Sequence, residues 1–268
     1  MKIKFDIPIN WNRLTDHQLL KVATLFFSPK EAFLFDFILL KIMTNHKWYK
    51  PWLIGKIILL FKNVPIKTIK EHYGFIYKEQ NLTRFIPVVK IKGKWYKKAI
   101  KYYAPTDRLT NLSVGEFSVC EDLYLGYLRN CKNSKTNFGQ SYLIYLFAVL
   151  YLKSGLAKRP KFQKENLENF VSAVQNVPKK YLLATLLSYK GCKDAIATNP
   201  KYKHIFPRKK TDPKTVLKIP ASSGFSDVIL SFSGKLFGDY DKTFTTNLYT
   251  FLDGYEIILK NMPKETVK

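Results

Sequence analysis

The residues best suited to chemistry form one group near the middle of the chain. Glu116, Glu121 and Asp122 lie close together on a predicted helix, and neighbouring carboxylates can serve as a general acid and a general base. Cys120 and Cys131 fall on the same helix and would be nucleophiles if a histidine lay nearby in the fold. Structural roles are favoured for all five, because carboxylates near a helix start interact with its dipole and cysteines are often small buried residues.

Patterns for nucleotide or metal binding do not occur in the sequence. There is no Walker loop of the form GxxxxGK followed by Ser or Thr, and the four histidines never stand at HxxxH spacing. The three cysteines form no CxxC pair, which is typical of a reducing compartment. Asp239 and Asp241 resemble the start of a calcium loop, but Phe244 stands where that loop requires glycine, so we interpret this segment as a helix start. We therefore expect no enzyme activity, and no catalytic, cofactor-binding or metal-binding residues are predicted.

Two lysine-rich segments account for the charge of the chain, which is +25 at pH 7. Residues 41–101 contain 15 Lys and Arg against 2 Asp and Glu, and residues 153–218 contain 16 against 4. Charge of one sign, segregated in this way, indicates a polyanionic or acidic partner. Only six arginines occur, so diffuse attraction is favoured over forked recognition of phosphates or base edges. Coding bias of an AT-rich genome would also favour lysine over arginine, and this alternative stays open.

Aromatic residues alternate with lysines in the first of these segments. Such rings suit stacking on single-stranded bases, although Trp and Tyr more often anchor a core or an assembly interface. The second segment includes a proline-rich loop, which would act as a contact arm or simply keep the protein soluble. The residues predicted to bind a polyanion or a protein partner are Lys47, Trp48, Lys50, Lys94, Trp95, Tyr96, Lys97, Lys98, Lys101, Arg208, Lys209 and Lys210.

The elements that carry these residues are predicted to be mainly helices. Capping-box spacing from Thr15 and from Ser113, together with Ser28-Pro29, indicates three helix starts. A hairpin is predicted from three consecutive features: residues 85–91, which are rich in β-formers, a turn at Lys92-Gly93, and a return strand. The predicted helices span about 15–27, 29–45, 52–62, a short segment after Pro65, 113–130, 142–151, 165–175, 178–189, 225–237 and 246–260, and the return strand spans 94–99.

The predicted fold class is therefore mainly α, a multi-helix bundle with a small β-hairpin or three-stranded patch near residues 84–99. No apolar run reaches the roughly 18 to 20 residues that cross a bilayer, and no signal peptide is expected. The chain divides into an N-terminal helical region with the hairpin, a central helical region, a proline-rich basic loop and a C-terminal helical pair, unless all form one domain. These regions span residues 1–104, 105–198, 199–223 and 224–268.

The segment Pro105–Phe117 resembles a recurrent pattern in proteins encoded by tailed phages and prophages of Bacteroidetes hosts. That pattern has a proline-containing loop, an Asn-Leu pair and a helix start of Gly, Glu and Phe, followed by an acidic, tyrosine-rich helix. Here Tyr124 and Tyr127 continue the likeness, and Asn247-Leu248 belongs to a similar ending. The resemblance implies a gene of the virion-assembly region, encoding a minor component near the portal and tail or a tail-assembly factor, with no catalytic residues.

From these observations we expect a non-enzymatic phage virion or virion-assembly protein that contacts other phage structural proteins through a basic face. It would belong to an oligomeric assembly, in the host cytoplasm during assembly or in the virion, without contacting a membrane. The alternative is a sequence-nonspecific nucleic-acid-binding protein with DNA as its partner, which the strong positive charge favours. An enzyme with a dispersed site is a third, disfavoured possibility.

Overall fold

A computed structural model gives the fold of most of the chain, and helices dominate it. Within the described residues the strands form one two-stranded antiparallel hairpin, so the predicted mainly α fold is confirmed. The structure describes residues 7–28, 32–44, 55, 58–59, 62–78, 80–91, 99–131, 138–153, 159–207 and 224–262.

The helices begin largely where the capping signals predict them. Thr15 and Ser113 both cap their helices in reciprocal capping boxes, with Gln18 and Glu116 as the third residues. The predicted helix 52–62 lies mostly outside the described residues. In chain order, the α-helices whose bounds lie in the described residues are α1 Asp16–Phe26, α2 Ala32–Met43, α3 Ile66–Glu71, α4 Val114–Asn130, α5 Phe138–Leu150, α6 Leu167–Val174, α7 Lys179–Ala197, α8 Phe225–Phe232, α9 Tyr240–Thr245 and α10 Leu248–Asn261.

Two helices in the second half of the chain end at other residues than predicted, for local reasons. Helix α7 continues past Tyr189, because Gly191 and Cys192 are buried in the same core. Helix α8 ends early, since Gly234 follows its last turn with φ of 75°, a left-handed conformation that glycine adopts readily and that ends helices. The predicted helix start at Asp239 is confirmed, and its side chain accepts a hydrogen bond from the backbone N–H of Lys242 at the start of α9.

The hairpin pairs β1 Val88–Ile91 with β2 Ile100–Tyr103 in antiparallel register. Ile91 lies opposite Ile100, so the tight turn predicted directly after Ile91, at Lys92-Gly93, is wrong, and residues 92–98 lie outside the described part of the chain. On its other edge, the backbone of Tyr103 exchanges two hydrogen bonds with Leu152, of 2.8 and 3.0 Å. The hairpin is thereby tied to the end of α5.

The buried apolar side chains form one cluster, which extends from Trp11 to Leu252. Helices α4 and α5 pack along each other, α7 packs against α1 and α5, and α8, α9 and α10 contact α4. Tyr202 of the predicted proline-rich loop is buried and donates a 2.8 Å hydrogen bond to Asp253 of α10. The beginning of that loop is thus packed, while residues 208–223 lie outside the described part.

None of the helices in the described ranges has the length and apolar character needed to cross a membrane.

Candidate anion-binding groove

Lys101 is the predicted partner-binding residue that the structure describes. It is exposed on β2 and lies directly opposite Lys90 of β1, which is also exposed. Like charges directly opposite each other destabilise a strand pair, so this face of the hairpin is cationic at some cost to stability. The other predicted residues lie outside the described part of the chain, namely Lys47, Trp48, Lys50, Lys94, Trp95, Tyr96, Lys97, Lys98, Arg208, Lys209 and Lys210.

Two of the three carboxylates singled out on α4, Glu116 and Glu121, are held in ion pairs. Glu116 is buried and its Oε1 accepts a 2.8 Å hydrogen bond from Nε of Arg159, while its Oε2 accepts from Ser113 in the capping box. Glu121 accepts from the Tyr189 hydroxyl at 2.6 Å and from Lys193 Nζ at 2.5 Å. These two carboxylates therefore join helices together.

The cysteines differ in accessibility. Cys120 and Cys192 are buried, whereas Cys131 is exposed at the end of α4. Burial raises the pKa of the Cys120 thiol well above its usual range, and burial also raises the pKa of Cys192 to about 12. Both buried thiols are therefore protonated at neutral pH and are poor nucleophiles. Among the described residues, no group of three or more His, Cys, Asp or Glu side chains could hold a metal ion.

The residues that carry the phage-like resemblance are packed against one another. Asn247 donates from Nδ2 to the carbonyl of Thr110 at 2.8 Å, and the N–H of Leu248 donates to the carbonyl of Leu112 at 2.9 Å. The motif around residue 110 and the similar ending of the chain thus meet in space. Their contacts are caps and turns that fix the start of α4 against the start of α10.

A polar cleft of about 570 Å³ lies between α4, α9 and residues 161–165. Side chains of both charge signs line it, so it has no clear preference for a charged ligand. They include the carboxylates Asp122, Glu165, Asp239 and Asp241 and the ammonium groups of Lys161, Lys164 and Lys242.

A different groove, of about 470 Å³, lies where α1 and α2 meet the start of α7. Its floor is aliphatic, with Leu25 and Ile42 buried and Leu20 and Ile38 half-buried. We call this feature the basic groove, because four of its lining side chains bear basic nitrogen atoms, namely His17, Lys21, Lys41 and Lys180.

The cations of the basic groove come from three helices, the consecutive α1 and α2 and the sequence-distant α7. Lys41 belongs to the first lysine-rich segment and Lys180 to the second, and the packing of α1 against α2 and α7 brings them to the same groove as Lys21. All three are exposed, and none forms a salt bridge with a carboxylate in the described part of the chain. One lysine from each lysine-rich segment thus lies at the same groove, where an anionic group could contact both.

The basic groups of the groove also act on one another. The pKa of His17 is lowered below its ordinary value of 6.5, first by burial and then by the positive charges of Lys21 and Lys180. Burial and the nearby Lys41 lower the pKa of Lys21. A neighbouring positive charge disfavours protonation, so the groove concentrates positive charge that is not balanced locally.

The start of α7 adds to this imbalance. Its N-cap is Pro178, which makes no side-chain cap hydrogen bond, and its first turn contains Lys179 and Lys180 but no acidic residue. Helix N-termini carry partial positive charge and are stabilised by anions, so lysines there are unfavourable. An anion bound near Lys180 would interact favourably with both the ammonium group and the helix end.

Only part of the basic groove was within reach of sequence analysis. Lys21 lies in a stretch of balanced charge and Lys180 is far from it, so neither stood out. The available signal was the spacing of His17, Lys21 and Thr24 on one face of a predicted helix, but the partner helices across that face are fixed by tertiary packing.

Comparisons with protein-family models, curated proteins and solved structures give no match to this chain.

Proposed function

We propose that the protein is a non-enzymatic virion or virion-assembly protein of a tailed phage, which binds an acidic surface of a structural protein through the basic groove. It would act within an oligomeric assembly, in the host cytoplasm or in the virion. The observation that supports this proposal is the convergence of Lys21, Lys41 and Lys180, from three helices, around an apolar floor without carboxylate partners in the described residues.

The physical argument concerns charge balance. Like charges held close together repel one another in the free protein, and an acidic partner removes that repulsion on binding. Complementary charge also increases the association rate and selects against basic partners. The same positive field attracts nucleic acid. The cationic face of the hairpin at Lys90 and Lys101 supports this alternative, so DNA binding is the second candidate function.

The proposal is tested with the full chain, polyglutamate as an acidic probe and a single-stranded oligonucleotide as competitor. The variant Lys21→Gln/Lys41→Gln/Lys180→Gln removes three charges from the groove. Its matched control removes three exposed charges elsewhere, Lys153→Gln/Lys235→Gln/Lys260→Gln. We expect the groove variant to bind polyglutamate about tenfold more weakly, which corresponds to about 1.4 kcal/mol, and the control to change affinity much less.

Equal weakening in both variants would show that only total charge matters, and the basic groove would lose its role. The phage role is tested separately, by co-purification with capsid or tail proteins of the same genome before and after nuclease treatment. Retention after nuclease supports protein contacts. Loss after nuclease, together with an affinity for the oligonucleotide that falls steeply with salt, supports DNA binding instead.

A further inference from the structure

We infer that the occupant of the basic groove is one amphipathic α-helix of a partner protein, with an apolar stripe bordered by Asp or Glu residues. This inference rests on the proposed function, because it specifies the partner of the same groove. The geometry that points to it is a groove lined by helix α1, which combines four aliphatic side chains with cations from α1, α2 and α7.

The lining residues of α1 recur at helical spacing. From His17 they follow the i, i+3, i+4, i+7, i+8, i+11 pattern of one helix face, and the last of them, Ser28, follows the end of the helix. A stripe with this period is the surface onto which a second helix packs, ridge into groove. Since α1 has 11 residues, the stripe is about 16 Å long and accommodates about three turns of an occupant helix.

An extended peptide fits this surface less well than a helix. The groove is formed by helices, whose main-chain groups are already paired, and it offers no open strand edge among its lining residues. An extended backbone lying on the aliphatic floor would lose hydrogen bonds to water without gaining others, which is unfavourable for each buried group. A helix satisfies its own backbone and presents only side chains to the floor.

A nucleic acid also fits this surface less well. Single-stranded bases bind proteins by stacking on aromatic rings, and the described residues that line the groove include no Phe, Tyr or Trp. Leu20, Leu25, Ile38 and Ile42 instead favour aliphatic side chains in the middle of the occupant. Charge complementarity then fixes its borders, since Lys41 lies on the α2 side and Lys180 on the α7 side.

The experiment uses the full chain and two fluorescent peptides of identical composition. In the first peptide, Leu residues form one stripe over four turns and Glu residues border it; in the second, the same residues are scrambled so that no stripe forms. We expect the striped peptide to bind about tenfold more tightly, since it alone buries leucines on the floor while pairing its carboxylates. Its circular dichroism should show a gain of helix on binding.

A steric variant tests the location. Thr24 is exposed in the middle of the α1 stripe, so Thr24→Trp fills the groove without changing its charge. The matched control is Thr250→Trp, at an exposed position of α10. We expect Thr24→Trp to weaken the striped peptide by about tenfold and the control to leave it unchanged.

The outcomes separate this inference from the proposed function. If both peptides bind equally, or if Thr24→Trp has no effect on the striped peptide, the helical occupant is ruled out. Binding of both peptides would still depend on Lys21, Lys41 and Lys180 if the proposed function holds. If substitution of those lysines changes the affinity for no acidic probe, the proposed function itself fails. If an oligonucleotide displaces the striped peptide at equal concentration, the occupant is a nucleic acid.

Discussion

His17 reports on the electrostatic field of the basic groove, because it faces Lys21 on its own helix and Lys180 on α7, with Lys41 of α2 beyond Lys21. Its pKa is lowered below 6.5 by burial first and then by these lysines. The unfolded chain therefore binds this proton more tightly than the folded chain. The contribution of His17 to stability is complete above pH 6.5 and is lost as the pH falls from 6.5 through the lowered folded value.

We predict that an NMR titration of the His17 imidazole will give a pKa below 6.5. In Lys180→Gln the pKa should rise, because one of the nearby charges is removed, and addition of an acidic peptide should raise it further. Lys260→Gln serves as the control, since Lys260 is exposed on α10 and does not line the groove. A pKa that is the same in all of these samples would contradict the described field.

The three cysteines give a second prediction at this scale. Cys131 is exposed, while Cys120 and Cys192 are buried with raised thiol pKa values. A thiol-reactive reagent at neutral pH should modify Cys131 quickly and the other two only when the protein unfolds. Mass spectrometry of peptides after timed labelling measures this order. Rapid modification of Cys120 in the native protein would show that α4 is not packed as described.

At the scale of elements, α7 approaches the segment around Leu82 closely at Gly191. A Cβ atom at this position would lie 2.0 Å from the carbonyl oxygen of Leu82. Since that neighbour is backbone, it cannot move aside as a flexible side chain would. We predict that Gly191→Ala destabilises the protein by about 1 to 3 kcal/mol, as overpacking does, measured by urea denaturation.

The matched control for Gly191 is Gly139, which also lies in a helix. A Cβ atom there would be 3.8 Å from the nearest atom of Tyr127, an ordinary contact. Gly139→Ala should therefore leave stability unchanged or increase it by up to about 1 kcal/mol through helix propensity. Equal effects of the two substitutions would mean that the segment around Leu82 does not lie against α7.

Arg159 links two helices through its buried guanidinium. It pairs with Glu116 near the start of α4 and donates to the carbonyls of Val149 and Leu150 at the end of α5, at 2.7 and 2.9 Å. Arg159→Met would leave the buried Glu116 without its counter-charge, so we predict a loss of about 3 to 5 kcal/mol in the free energy of unfolding.

The double variant Arg159→Met/Glu116→Gln should recover part of this loss, because the unpaired buried charge is then absent. Lys190→Met is the control, since its pair with Asp194 is about 40% exposed on both sides and should contribute less than about 1 kcal/mol. If Arg159→Met and Lys190→Met behave alike in urea denaturation, the pair with Glu116 is not buried in solution.

At the scale of the whole molecule, local signals were readable in the sequence and tertiary ones were not. Capping boxes depend on residues three positions apart, so the starts of α1 and α4 were predictable. The pairing of Ile91 with Ile100 depends on the loop between them, and turn residues at Lys92-Gly93 indicated the wrong register. The excess of lysine was visible in the composition. The convergence of Lys21 and Lys41 with Lys180 at the basic groove was not, because it depends on how α7 packs against α1.

Ionic strength should change the thermal stability of the whole folded chain. With a net charge of +25 and unbalanced lysines at the basic groove, repulsion between like charges destabilises the folded chain. Raising ionic strength from about 0.01 to 0.15 M shortens the screening length from about 30 to 8 Å. We predict that the midpoint of thermal unfolding rises over this interval. The rise should be smaller in Lys21→Gln/Lys41→Gln/Lys180→Gln than in Lys153→Gln/Lys235→Gln/Lys260→Gln, although both lose three charges, because only the first set is crowded. A midpoint that falls with salt would mean that attractive pairs outweigh this repulsion, and an equal response of the two triple variants would mean that the lysines of the basic groove repel one another no more than the control set does.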